Sequence, residues 1–293
     1  MIDGSILAAI EARLRRALAP PDARYRPFLV AGAPLGFIDD GRAARLARFE
    51  PLRVEREHVA LDERLATSEA RSAALAEVAL ALRAEGALPA WRDERYAIAP
   101  HFGSPPLLFI ERGAARYFGL RTWAAHANGI VRRDGATLMW LARRSPGKAV
   151  DPGLLDNLVG GGVAAGFRVD ETLVKEAWEE AGIGASLARA ARPAGAVHLR
   201  RALADGLQRE TVFVHDLALP EHFVPENQDG EAVEHRLVDV AEAARAIAQS
   251  GGPDEVTVDA SLVVLDCLIR LGEIAPDQPG FAALEALRHA GCD

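Results

Sequence analysis

Apolar residues recur at four-residue spacing near the start of the chain, where Ile6, Ile10 and Leu14 share one helical face. That pattern predicts an amphipathic first helix, ended by the Pro20-Pro21 pair. Two apolar runs follow, FLVAGAPLGFI and then RVEREHVAL, the second alternating as a half-buried strand does. Thr67-Ser68 opens a stretch with Leu75, Val78, Leu80 and Leu82, the longest helical pattern of this half, and Gly86 is its stop signal. WRDERYAIA returns to strand-like alternation. Up to about residue 118 no spacing points to catalysis.

The pattern changes near Gly119. AAHANGIVRR and ATLMWLARR read as strands separated by Asp134-Gly135, a strong hairpin turn signal. A turn-rich loop, SPGKAVDPGLLDN, leads into VGGGVAAG. Asp170 is a suitable N-cap for a helix over 171–181, closed by Gly182. RETVFVHDLAL and EHRLVDV are later strands, an alanine-rich helix is expected near 241–249, and a final helix near 258–271 aligns Leu262, Leu265 and Ile269. The order gives a mixed α/β (α+β) class without the regular βαβ alternation of a doubly wound sheet. We divide the chain into an N-terminal mixed helix and strand domain (1–118), a second domain (119–250) and a C-terminal helical extension packed on it (251–293).

Composition narrows the options. A chain of 293 residues, 49% hydrophobic and 26% charged, is an ordinary globular protein of about two domains. Its net charge of −8 argues against nucleic acid as the main partner, while leaving room for a local basic pocket. Two cysteines, Cys267 and Cys292, build neither a disulfide framework nor a four-cysteine zinc site. The N-terminus carries charges through its apolar part and so does not read as a signal peptide, and no run approaches the roughly 18 apolar residues of a membrane span. A cytoplasmic protein with free thiols is expected. Only two of the 34 basic residues are lysines, Lys148 and Lys175, which makes their positions informative.

Chemistry concentrates in GGVAAGFRVDETLVKEAWEEAGI, residues 161–183. Glu176, Glu179 and Glu180 fall at i, i+3 and i+4, and so face one place on a short helix, with Leu173, Ala177 and Ala181 on the adjoining arc. Like charges at that spacing repel. Either the face is simply solvated, or a hard divalent cation removes the penalty, since Mg²⁺ and Mn²⁺ prefer carboxylate oxygens.

This segment resembles the Nudix box, G-x5-E-x7-R-E-U-x-E-E-x-G-U, with Gly161, Glu176, Ala177, Glu179, Glu180, Gly182 and Ile183 in register. Phe167 stands where the first glutamate is expected and Lys175 where arginine is expected. In the family those two residues pair and brace the loop, so their loss is a coupled change. The resemblance implies a Nudix α/β/α sandwich around a mixed sheet. It also implies a diphosphatase using Mg²⁺ or Mn²⁺, held by Glu176, Glu179, Glu180 and the Gly160 carbonyl. A glutamate from a later loop often completes such sites or acts as base, and Glu231 and Glu234 are the candidates. HANGIVRRDGATLMWLARRSPGKAVDPGLLDNLVGGGVAAG, with WRDERYAI, FVPENQDGEAVEHRLVDV and SLVVLDCLIRLGEI, is similar to the subgroup allied to the Nudix part of fungal thiamin pyrophosphokinases. That subgroup carries an N-terminal companion domain and is associated with converting thiamin diphosphate, or its oxidised analogues, to the monophosphate.

For the substrate, Arg143, Arg144 and Lys148 precede the glycine loop and are candidates to meet the terminal phosphate, with Lys148 the most telling. Gly161 and Gly162 would let the backbone approach it, and Asp156-Asn157 are candidates to read a polar group on the organic moiety. His126 and Trp123 suit a ring stack or, better, packed core positions; Trp91 suits a domain interface and Trp178 a packing role. The expected partner is a small-molecule diphosphate, without nucleic acid or membrane. The apolar C-terminal helix and the companion domain favour a homodimer. Three rivals remain. A dinucleotide-binding oxidoreductase is weak, because Gly160, Gly162 and Ala165 are separated from the following helix by Gly-Phe-Arg-Val-Asp. A Nudix hydrolase acting on ADP-ribose, NADH or nucleotide sugars, and a catalytically silent Nudix-fold ligand sensor, are the others.

Overall fold

The computed structural model describes residues 2–19 and 22–291, so the Pro20-Pro21 stop signal and Cys292 lie outside the described residues. Helix α1 (Gly4–Ala17) begins at Asp3, whose carboxylate accepts the Ser5 and Ile6 N–H groups. The continuous apolar run is two antiparallel strands, β1 (Tyr25–Val30) and β2 (Ala33–Asp39). Ala31 and Gly32 turn them at φ of 49° and 78°, a left-handed pair that matches strand twist. After α2 (Asp40–Leu46), the alternating run also proves to be two strands, β3 (Leu52–Val54) and β4 (Val59–Leu61), because the polar residues 55–58 bend the chain back. The four form a sheet in the order β2-β1-β4-β3. Helix α3 (Ser68–Ala84) starts at Thr67, whose side chain accepts the Ala70 N–H. A ribbon of β5 (Arg95–Ile98) and β6 (Leu108–Glu111) leads into the single turn α4 (Arg112–Ala115). Phe28, Leu46, Leu75, Ile110 and Phe118 centre this first core.

Next come β7 (Arg121–Arg133) and β8 (Ala136–Arg144), joined by Asp134 and Gly135 at φ of 50° and 77°. They are followed by β9 (Leu155–Asn157), β10 (Val159–Gly162), α5 (Val169–Ala181) and α6 (Ala185–Ala188). The long strands β11 (Arg192–Leu203) and β12 (Gly206–Leu219) precede β13 (Ala232–Asp239), α7 (Val240–Ala248), α8 (Val258–Arg270) and α9 (Phe281–Leu287). The main sheet runs β11-β12-β7-β8-β13, with β10 added on β7 and β9 on β8. It is mixed, because β7 runs parallel to β12 and antiparallel to β8 and β10.

Alternate residues of β7 point to opposite faces. Trp123, Ala125 and Ala127 meet Leu173, Ala177 and Ala181 of α5 on one side. Ala124, with Met139, Val212 and Val214, meets α1, α7, α8 and α9 on the other. The α/β/α layering and the mixed sheet agree with the fold class read from sequence. Helix α1, which the sequence groups with the first 118 residues, packs in this second core through Leu7, Ile10 and Leu14. Helix α5 begins two residues earlier than its Asp170 signal suggested. Arg168 is the N-cap residue, and Glu171 reaches back to accept the Arg168 N–H at 2.9 Å. Trp178, expected to pack, is instead 54% exposed, because it lies on the outer arc of α5.

The two cores are joined through backbone. Phe37 N–H donates to Gly119 O at 3.3 Å, Leu207 N–H to Arg116 O at 2.9 Å and Ala165 N–H to Arg95 O at 2.8 Å. A Cβ at Gly119 (φ 56°) would lie 2.0 Å from Phe37 O, so only glycine permits that approach. Among the described residues no helix is long and apolar enough to cross a membrane.

Candidate active site

The glycine-rich run is β10, laid along the N-terminal half of β7 so that Gly160 faces His126 and Gly161 faces Ala125. Each glycine admits a different side chain. A Cβ at Gly161 would fall 2.3 Å from Glu176 Cδ, and one at Gly162 would fall 1.7 Å from the Tyr96 hydroxyl. At Gly160 it would meet the His126 ring at 2.9 Å. The motif therefore brings a box glutamate, a tyrosine and a histidine against one strand.

Helix α5 supplies the carboxylates. Glu180 is buried, and its Oε2 accepts the Gly160 N–H at 2.8 Å. Burial raises its proton affinity, and neighbouring Glu176 and Asp156 add to the shift, against Lys148 and the Gly160 N–H. Burial likewise raises Glu176, against the opposing charge of Lys175. The Lys175 ammonium stands between the other carboxylates, 3.1 Å from Glu176 Oε1 and 2.5 Å from Glu179 Oε2. Phe167 lies elsewhere, lining an apolar hollow with Phe102 and Trp123, so the two departures from the box pattern do not meet.

A cavity of about 360 Å³ opens onto Glu176, Glu179 and Lys175, while Glu180, buried on the Gly160 N–H, is not part of its lining. Glu176, Glu179, Gly160, Gly161, Gly162, Lys148, Asp156 and Glu231 all line it, as do His126 and Arg144. Glu231 is held there because its loop docks on the end of α5. Gln228 N–H donates to Glu179 O at 2.8 Å, and His235 Nε2 lies 3.0 Å from Glu180 O. Its carboxylate pairs with Lys148. Arg144 is spent on Asp156 at 2.6 Å and on the carbonyls of Val150 and Asp151. Asn157 is buried behind the wall, 2.8 Å from His126 Nδ1.

Arg143 and Glu234 are not brought to the cavity lining. They pair with each other at 2.6 Å in a surface network with Arg236 and Asp254, where Arg236 and Arg143 pull the Glu234 carboxyl down to about 2. The β-bulge between Ala232 and Glu234 separates the paths of the two loop glutamates. Trp123 is a core residue. Trp91 packs against the first core, its indole N–H donating to Asp93 at 2.7 Å. Cys267 is buried and unreactive, its thiol pushed up to about 12 by burial.

The sequence reading missed a whole wall. Arg92, Glu94, Tyr96, Arg112 and Arg116 come from the N-terminal half, and Gln208 and Glu210 from β12. None carries a spacing signature; the one hint was that WRDERYAI belongs to the resemblance. Burial holds the Tyr96 phenol protonated, and Glu210, Glu94 and Glu176 reinforce this against Arg112.

The oxygens that could hold a divalent cation are those of Glu176, Glu180 and Glu179. Among the described residues no three histidine, cysteine or acidic side chains form a ready-made ligand set. Two carboxylates of raised proton affinity, Glu180 buried and Glu176 half-buried, suit Mg²⁺, which takes one or two carboxylates and completes its shell with water and substrate phosphates.

Two family models cover nearly the whole chain: a domain of unknown function (DUF4743) over residues 10–122, and the NUDIX domain over residues 122–257. Among curated proteins, the chain is similar to Nudix hydrolase 24, chloroplastic, of Arabidopsis thaliana, at 39% identity over 92% of this chain and 74% of that one. Nudix hydrolase 20, chloroplastic, of the same plant is 37% identical over the same shares. Among solved structures, DR0079 from Deinococcus radiodurans covers 59% of this chain and 98% of its own at 20% identity, with a TM-score of 0.43. The NUDIX domain of Shewanella oneidensis NrtR, complexed with ADP ribose, covers 53% and 90% at 13% identity and 0.41.

Proposed function

The chain belongs to the Nudix hydrolase family, and from that premise we propose that it hydrolyses thiamin diphosphate, or an oxidised analogue of it, to the monophosphate with Mg²⁺ or Mn²⁺. The observation that carries the hydrolase reading is the pair Glu176 and Glu180 against the glycine strand, Glu176 half-buried at the edge of a cavity that also holds Lys148 and Arg144 and Glu180 buried beside it. Such a pair is costly without a cation, and a diphosphate brings one. When bound, the cation neutralises the anhydride and lowers the pKa of the attacking water. Glu176, Glu179 and Glu180, with the Gly160 carbonyl, are the ligands we propose. Lys148 positions a phosphate oxygen, the backbone of Gly161 and Gly162 lets the anion approach, and Glu231 is the loop carboxylate that takes a proton from water. Asp156 orients Arg144.

The thiamin assignment rests on the resemblance outside the box. We place the protein in the cytoplasm, and as a homodimer, on the sequence grounds above. The test is a panel of thiamin diphosphate, its oxidised forms, ADP-ribose and nucleotide sugars, each with Mg²⁺ and Mn²⁺. Turnover of the thiamin compounds is expected to lead; fast hydrolysis of the others with none on thiamin compounds would sink the assignment. One observation favours the silent sensor instead: the Lys175 ammonium already neutralises Glu176 and Glu179. Binding without turnover across the whole panel would decide for it.

A further inference from the structure

The N-terminal unit has no assigned role, yet it forms one side of the cavity. Arg112 is placed there by the β5–β6 ribbon. Its backbone N–H donates to Glu94 O at 2.8 Å, and its Nη1 donates to Glu94 Oε2, also at 2.8 Å. The guanidinium lies 5.6 Å from the centre of the Tyr96 ring, whose hydroxyl presses on Gly162. A continuous line of contact therefore runs from Arg112 through Tyr96 to the glycine strand.

Apart from Arg92, the other cations of the cavity already have close acceptors. Arg144 is held by Asp156 and two carbonyls, Lys148 by Glu231, Lys175 by two box glutamates and Arg116 by Asp205 at 2.6 Å. Arg112 uses Nη1 alone. Among the described residues its Nε and Nη2 donate to nothing, and the side chain keeps 41% of its exposure while lining the cavity. A fixed guanidinium with a free fork is suited to a phosphate, because two parallel N–H donors match two phosphate oxygens.

We propose that Arg112 is a substrate-binding residue, donating from Nε and Nη2 to the diphosphate, and that the N-terminal unit thereby completes the hydrolase site. Arg92, 3.8 Å from Glu231, stands ready as a second, weaker contact on the same side. The catalytic half alone would bind its substrate poorly. This inference rests on the diphosphatase reading above.

The full chain, with Mg²⁺, is titrated calorimetrically with inorganic pyrophosphate, and steady-state kinetics are run on the best diphosphate of the panel. Arg112→Gln is expected to weaken pyrophosphate binding, and to raise KM, by about tenfold or more with kcat within about twofold. Glu94→Gln removes the anchoring pair but leaves the fork, and should bind pyrophosphate at least as well as the wild type. Wild-type affinity and KM in Arg112→Gln would overturn the proposal. So would an equal loss in Glu94→Gln, which would make the pair structural. If Arg112→Gln unfolds, Arg112→Lys decides: a partial loss with an unchanged thermal midpoint supports a lost fork, and full affinity excludes it. A wild-type chain that binds pyrophosphate through Arg112 yet hydrolyses nothing would defeat the hydrolase reading and leave this one standing.

Discussion

Glu180 is the side chain on which most depends, and it separates two roles that a glutamate can have in a folded protein. Its carboxylate is buried with one backbone donor, and its neighbours Glu176 and Asp156 are acidic. For stability alone, glutamine would serve as well or better. Glu180→Gln is therefore expected to lose Mg²⁺-dependent turnover by on the order of a hundredfold or more, while its thermal midpoint in chelator equals or exceeds that of the wild type. Added Mg²⁺ should raise the wild-type midpoint and not the variant's, since only a binding site shifts unfolding by mass action. Unchanged turnover in the variant would remove Glu180 from the site. Glu234 behaves in the opposite sense. Arg236 and Arg143 depress its carboxyl from 4.5 to about 2, so the fold favours the charged form. Its contribution is complete above the unfolded value and disappears as pH falls from about 4.5 through 2. Glu234→Gln should keep wild-type kcat/KM, with a small stability deficit at pH 7 that narrows below about pH 4.5 and closes only below about pH 2; a large loss of turnover would return Glu234 to the site. The sequence could not tell Glu231 from Glu234, because both sit in DGEAVEH and only the strand pairing of β13 with β8 sends one to Arg143.

At the scale of elements, β10 and α5 work as one unit. The box helix was legible because its carboxylate spacing, its apolar arc and Gly182 at φ 64° all carry local signals. What β10 touches was not legible, since Tyr96 lies 66 residues before Gly162 and nothing local joins them. Gly162→Ala would place a methyl 1.7 Å from the Tyr96 hydroxyl and 2.7 Å from Tyr96 Cζ. It should lower both the thermal midpoint and turnover. Tyr96→Phe should recover part of each, because the nearer clash vanishes and the Cζ contact remains. Strict additivity in that double-mutant cycle would deny the contact. The start of α5 offers a gain. Arg168 occupies the N-cap without a side-chain acceptor, and its pair with Asp170 is solvent-exposed and weak. Arg168→Ser should raise the melting midpoint by about 2 °C in scanning calorimetry; a drop would mean that the Arg168 pair matters more than the cap.

The whole molecule is tied together by its first helix. Ile6, Ile10 and Leu14 announced an amphipathic α1, but a hydrophobic stripe states only that a helix is covered, never by what. In the fold, Ile2, Leu7, Ile10, Leu14 and Leu18 are buried in the core made by the main sheet with α7, α8 and α9. Arg13 goes with them, its guanidinium donating to Ser261 Oγ at 2.8 Å, to Ile247 O at 3.0 Å and to Val256 O. The chain thus starts on the hydrolase core, crosses to build the companion unit, and returns to build the catalytic sheet. Five buried apolar side chains at about 1.5–3 kcal/mol each amount to roughly 10 kcal/mol, the same order as the whole net stability of a domain. A fragment spanning 119–293 holds the complete box, but it lacks α1 and leaves an apolar face of α7 to α9 in water. We expect the full chain to unfold in one calorimetric transition, and Ile10→Ala or Leu14→Ala to lower that transition by about 2–5 kcal/mol each. The fragment should show no cooperative transition and should bind a hydrophobic dye. A fragment that melts cooperatively near the full-length midpoint would mean that α1 only covers a core able to stand by itself, and the companion unit would then be joined to the hydrolase through the cavity wall and the Phe37–Gly119 and Leu207–Arg116 backbone contacts.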